Sequence, residues 1–98
     1  MSPIARLVRI EGRVQGVWYR GWTVQQAQLR GLTGWVRNRA DGSVEALFCG
    51  SETVVAEMIE ACRRGPPAAS VTAITSQEAP MSGDGASGHG EFHQRPTE

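Results

Sequence analysis

Two polar side chains in this sequence have the type and setting to act on an anion: Arg20 and Asn38. Arg20 closes the run Gly12-Arg13-Val14-Gln15-Gly16-Val17-Trp18-Tyr19-Arg20, in which two glycines lie four apart and Arg13 is the only other charge. A connection of this kind between a strand and a helix can turn successive backbone N–H groups inward, forming a nest for an anion. The start of the helix adds unsatisfied N–H groups and the positive end of its dipole. A guanidinium at that point brings a planar fork of donors matched to phosphate oxygens. The run is not a P-loop, because the trailing Lys-Ser/Thr is missing. Its spacing alone also suits an ordinary glycine-containing connection with a surface arginine. Asn38 stands where a strand should end beside a hairpin, a place where Asn is common for local reasons. Beside an anion nest, its uncharged amide would hold a water without repelling phosphate.

Both groups need elements to carry them. Ile4 to Glu11 reads as a strand, with Val8 and Ile10 on one face, Arg9 and Glu11 on the other, and Leu7 breaking the alternation. From Gly12 to Tyr19 the chain is a loop; around Arg20 it turns helical, through Trp22, Ala27 and Leu29, until Gly31 stops it. Thr33 to Asn38 is a second strand, Asp41-Gly42 a tight turn, and Ser43 to Cys49 the return strand of a hairpin. A helix follows, with Ser51 as N-cap, Glu52 in its first turn and Gly65-Pro66-Pro67 as its stop. Val54, Val55, Met58, Ile59, Ala61 and Cys62 fall within an arc of about 160° on it. Val71 to Glu78 is the last strand of the main sheet, Ala79 to Gly90 a mobile Gly/Ser-rich loop, and Gly90 to His93 a short edge strand stopped by Pro96.

The order strand, helix, strand, strand, helix, strand gives two split βαβ halves in a single domain spanning 1–98. The expected fold is α+β: a ferredoxin-like α/β sandwich, βαββαβ, with a mostly antiparallel sheet and both helices on one face. The third strand then inserts between the first and second, which run parallel. Their C-terminal ends, near Gly12 and Asn38, emerge at the same edge about 10 Å apart, so that side chains from both can converge on one small ligand.

Composition narrows the function classes. The chain has 98 residues, with 40% hydrophobic and 20% charged, as expected of one small globular domain. It has no apolar run of bilayer length and no long apolar stretch at its N-terminus, which points to a cytoplasmic protein away from membranes. Cys49 and Cys62 are too few for a disulfide framework and lack metal-ligand spacing. His89 and His93 lie four apart, but Gly88 and Gly90 oppose a helix there, so no metal site is expected. All ten basic residues are Arg; through Arg39 the chain carries seven of them against one acid, Glu11, and the remainder is acidic, so the formal net charge is zero. An arginine-rich first half suits phosphate or carboxylate. Trp22 and Trp35 fit packing positions on a helix and a strand better than a base-stacking surface.

The run Gly12 to Arg20 resembles the first signature of the acylphosphatase family. The stretch Gly34-Trp35-Val36-Arg37-Asn38-Arg39-Ala40-Asp41-Gly42-Ser43-Val44-Glu45, with Gly50 beyond it, resembles the second. The two are in family order and separation, and the resemblance extends over about Ile4 to Glu78. Tyr19 stands where the family usually has Phe, and Phe92-His93-Gln94-Arg95-Pro96 is a poor copy of its closing strand. The resemblance implies hydrolysis of small acyl phosphates to carboxylate and inorganic phosphate, with no cofactor and no metal. It gives phosphate binding to Arg20 and to the backbone N–H groups of Gln15, Gly16, Val17, Trp18, Tyr19 and Arg20, and orientation of the attacking water to Asn38. The expected partner is the small-molecule substrate alone, with no nucleic acid, and the protein a monomer. Two alternatives stay open: a nucleic-acid-binding module of the same topology, and a non-catalytic or carbamoyl-phosphate-handling domain of the same family.

Overall fold

The computed structural model describes residues 3–80 and 91–97. The elements in chain order are β1 (Ile4–Arg13), α1 (Tyr19–Leu29), β2 (Thr33–Asn38), β3 (Val44–Gly50), α2 (Glu52–Cys62), β4 (Ser70–Glu78) and β5 (Phe92–Gln94). They build one five-stranded sheet of order β4-β1-β3-β2-β5, antiparallel except for the pairing of β2 with β5. The central insertion of β3 is as expected, and the fold is the ferredoxin-like sandwich. Most of the loop expected over Ala79 to Gly90, and with it His89, lies outside the described residues.

Both helices cover one face of the sheet. Val8, Ile10, Val36, Val44, Ala46 and Phe48 point from the strands into a core shared with Ala27, Val55, Met58 and Cys62. The apolar stripe of α2 faces inward, with Val55, Met58, Ala61 and Cys62 buried. On α1 the inward residues are Tyr19, Thr23 and Ala27, and the Thr23 hydroxyl is satisfied by the Tyr19 carbonyl at 2.8 Å. Leu29, read as part of the helical pattern, is left exposed. The other face of the sheet carries a smaller cluster of Ala5, Trp35, Leu47 and Cys49, with Leu7 packed against it. Trp35 is therefore packed, as expected, but on the face away from the helices, where the guanidinium groups of Arg37 and Arg95 each lie 4.8 Å from its ring centroid.

One difference from the sequence reading bears on the site. β1 runs to Arg13 rather than ending at Glu11, because Gly12 and Arg13 pair with Val71 and Ser70 across a bulge between Glu11 and Gly12. A Cβ at Gly12, where φ is 123°, would run into the Ser70 carbonyl, so this pairing needs glycine. At the far edge, β5 is built around Phe92, which is buried and stacks on Phe48 at 5.5 Å. Both cysteines are free and buried.

Candidate active site

The register places the ends of β1 and β2 on either side of one residue. Ile10 and Asn38 both pair with Val44 of β3, so β1 and β2 end at the same edge of the sheet with β3 between them. Beyond β1, Val14 turns into the core and anchors the connection. Gln15 then reaches across to the hairpin: its Nε2 donates to the carbonyls of Arg39 at 2.8 Å and Ser43 at 2.9 Å. The hairpin turn is itself closed by Asp41, whose Oδ1 accepts from the backbone N–H of Ser43 at 3.0 Å and from its hydroxyl at 2.6 Å. Those two bonds, assisted by Arg9, hold the Asp41 carboxyl below its ordinary range.

Gly16 and Trp18 both have left-handed backbone, at φ 75° and 66°, with Val17 between them. Trp18 is the one non-glycine residue with positive φ among those described, a conformation uncommon for such a side chain. Left-handed residues alternating with other conformations are the kind of backbone from which an N–H nest can be built. Trp18 is also the N-cap of α1, yet its side chain makes no capping bond, and no acidic residue lies in the first turn. The early N–H groups of α1 thus keep their capacity to bind an anion.

The helix start is held from its opposite side. The Tyr19 hydroxyl donates to the Cys62 carbonyl at the end of α2, at 2.6 Å. Burial first, and then Cys62, pushes this phenol well above its ordinary range, and burial pushes the Cys62 thiol up to about 12.

Arg20 has no hydrogen-bond or ion-pair partner among the described residues. Several other arginines are engaged: Arg9 with Asp41, Arg30 with Gln26, Arg63 with Glu60, and both Arg37 and Arg39 with Glu45, at 2.7 and 3.3 Å. Asn38 carries the complementary feature. Its Oδ1 is the one buried side-chain polar atom, among the described residues, without a hydrogen-bond partner, and a buried acceptor left unpaired costs about 1–3 kcal/mol.

A cavity of about 130 Å³ joins these groups, lined by Val14, Gly16, Trp18, Tyr19, Arg20, Gly21, Asn38 and Gln94. It brings together Asn38 and four of the six residues expected in the backbone cradle, Gly16, Trp18, Tyr19 and Arg20. The other two stand behind it: Gln15 spends its side chain on the hairpin, and Val17 packs against the main core. Val14, Gly21 and Gln94 were not expected in the lining. Nothing sets Val14 apart from the loop's other apolar residues, Val17 and Trp18, and Gln94 reaches the cavity only because the three-residue strand β5 pairs with β2. Among the described residues, no group of three or more His, Cys, Asp or Glu side chains is arranged to hold a metal ion.

Comparison with known proteins gives the same direction. The acylphosphatase family model matches residues 7–89. An acylphosphatase of Rhodospirillum rubrum is 69% identical over 65 residues, covering 66% of this chain and 71% of that one. An acylphosphatase of Rhizorhabdus wittichii is 53% identical over 94 residues, covering 96% of this chain and 90% of that one. The crystal structure of acylphosphatase from Bacillus subtilis superposes with a TM-score of 0.84 at 37% identity, covering 94% of this chain and 98% of that one. These matches favour the hydrolase over the two alternatives drawn from the sequence. With a family model over most of its length and a relative sharing more than half its residues almost end to end, the chain belongs to the acylphosphatase family, enzymes that hydrolyse acyl phosphates.

Proposed function

We propose that the phosphoryl group of the substrate sits in the nest, with its oxygens on the Arg20 guanidinium and on backbone N–H groups between Gln15 and Arg20, and that Asn38 holds the attacking water. The observation that carries this assignment is the pairing, in one cavity, of an arginine without a partner and a buried carboxamide oxygen without a donor. A phosphate supplies the acceptors that Arg20 and the helix N–H groups lack. A water supplies the O–H that Asn38 Oδ1 lacks.

The chemistry asks for little more. Water attacks phosphorus as the bond from phosphorus to the acyl oxygen breaks; that electron pair leaves with the carboxylate, and the water's proton passes to a phosphate oxygen. The transition state is loose, so positioning and charge stabilisation carry the catalysis. The carboxylate is a good leaving group and needs little help from a general acid. In this scheme Arg20 and the amides supply the charge stabilisation and no metal takes part. The reading extends to a cytoplasmic monomer that acts on small acyl phosphates without nucleic acid. No helix among the described residues is long and apolar enough to cross a membrane. The first strand also presents Arg and aliphatic side chains rather than exposed aromatics.

The test is hydrolysis of an acyl phosphate in ¹⁸O-labelled water with a metal chelator present. Undiminished turnover, label in the phosphate alone and competitive inhibition by inorganic phosphate are expected. Label in the carboxylate, or turnover lost to the chelator, would contradict the scheme.

A further inference from the structure

Trp18 is 61% exposed, whereas Tyr19, Phe48, Phe92 and Trp35 are buried. Its indole is nevertheless placed rather than loose. A Cβ built on Gly21 meets the Nε1, Cε2 and Cδ1 atoms of the Trp18 ring, so the ring lies across the first turn of α1 and occupies the space that a side chain at position 21 would fill. Trp18 and Gly21 both line the cavity that holds Arg20 and Asn38. At about 130 Å³ that cavity is small beside the roughly 300–1,000 Å³ of pockets that enclose a whole small-molecule ligand. The acyl end of the substrate must therefore extend out of the mouth, where Trp18 stands as an exposed aromatic wall.

Building on the placement of phosphate at Arg20, we infer that the acyl group lies against the Trp18 indole, and that the enzyme thereby favours acyl phosphates with aromatic or bulky apolar acyl groups over acetyl phosphate. An apolar acyl group gains contact with the ring as both leave water, and an aromatic one adds ring–ring attraction. An acetyl group, with a single methyl, reaches too little of the ring to share that gain. Trp18 would then determine specificity through its side chain while its backbone shapes the nest.

The experiment compares kcat/KM for benzoyl phosphate and acetyl phosphate in the parent protein, in Trp18→Asn and in Gly21→Ala. Asn tolerates left-handed backbone, so Trp18→Asn removes the ring without asking the nest to change hand. Gly21→Ala keeps the ring in the chain but pushes it off its seat. The expected result is a benzoyl-to-acetyl ratio that falls about fivefold to tenfold in Trp18→Asn, in line with the loss of one aromatic contact, and falls in the same direction in Gly21→Ala. A ratio unchanged in both variants would overturn the inference, whether or not both substrates weaken together. Arg20→Ala separates this outcome from failure of the underlying site: if it still hydrolyses both substrates at the parent rate, phosphate is not held at Arg20, whatever the ratio does.

Discussion

The two helices begin in opposite ways. At α2 the chain satisfies its own amides: Ser51 has extended backbone, its hydroxyl accepts from the Val54 N–H at 3.3 Å, and Glu52 adds a negative charge in the first turn. At α1 the N-cap is Trp18 in left-handed backbone, with no capping bond, no acid in the first turn and an arginine without a partner at the second helical position. Bonds directed away from the open amides, from Gln15 to the hairpin and from Tyr19 to Cys62, hold that second terminus instead. One helix start is closed for stability, and the other is kept open and braced from behind. In the proposed site, the cost of leaving amides unmet would be offset by the anion bound there.

Breaking the open end should have the largest effect. Arg20→Ala removes its only side-chain charge; turnover should fall by about 10³-fold or more, the scale of losing a phosphate-binding arginine, and inhibition by inorganic phosphate should disappear with it. Asn38→Ala should lower kcat by about 10²–10³-fold, as for loss of one positioned polar group, with the inhibition constant for phosphate largely kept. Loss of phosphate inhibition in that variant would make Asn38 a phosphate ligand rather than a holder of water.

The brace behind the open end can be tested through alkaline stability. Cys62 stays protonated in the folded protein up to about 12, against an ordinary value of 9.0, and the Tyr19 phenol is raised in the same sense. Folding is thus favoured fully below about pH 9, and that contribution is lost as pH climbs toward 12, because the unfolded chain ionises first. Denaturant midpoints measured across this range should fall steadily. Tyr19→Phe should flatten part of the decline and cost about 1 kcal/mol at neutral pH. The smallest effect belongs to the closed end: Ser51→Ala should cost about 1 kcal/mol, a drop of about 4–8 °C in Tm for a domain this small, with kcat and KM unchanged. Lost activity at parental stability in Ser51→Ala would erase the contrast between the two helix starts.

Much of this molecule was legible in its sequence where local signals and tertiary demands agree. β2 occupies the expected residues Thr33 to Asn38, and the α2 stripe turns inward as its spacing required. β3 starts one residue late, at Val44, because Ser43 belongs to the turn that Asp41 closes. What was illegible depends on partners distant in the chain. The last residues of β1 exist as strand only because β4 pairs with them across a bulge. The inward face of α1, Tyr19, Thr23 and Ala27, is too weakly apolar to stand out by pattern. In the site, Arg20 and Asn38 could be named from their motifs, but nothing local marks Gln15 as the tie to the hairpin or brings Gln94 to the cavity.

The central claim, that phosphate binds the open start of α1, is tested most directly by following backbone amide resonances as inorganic phosphate is added. The largest shifts should fall on Gly16 to Gly21, saturate together and vanish in Arg20→Ala. Saturable shifts centred instead on the start of α2, or shifts at Gly16 to Gly21 that persist undiminished in Arg20→Ala, would contradict the account.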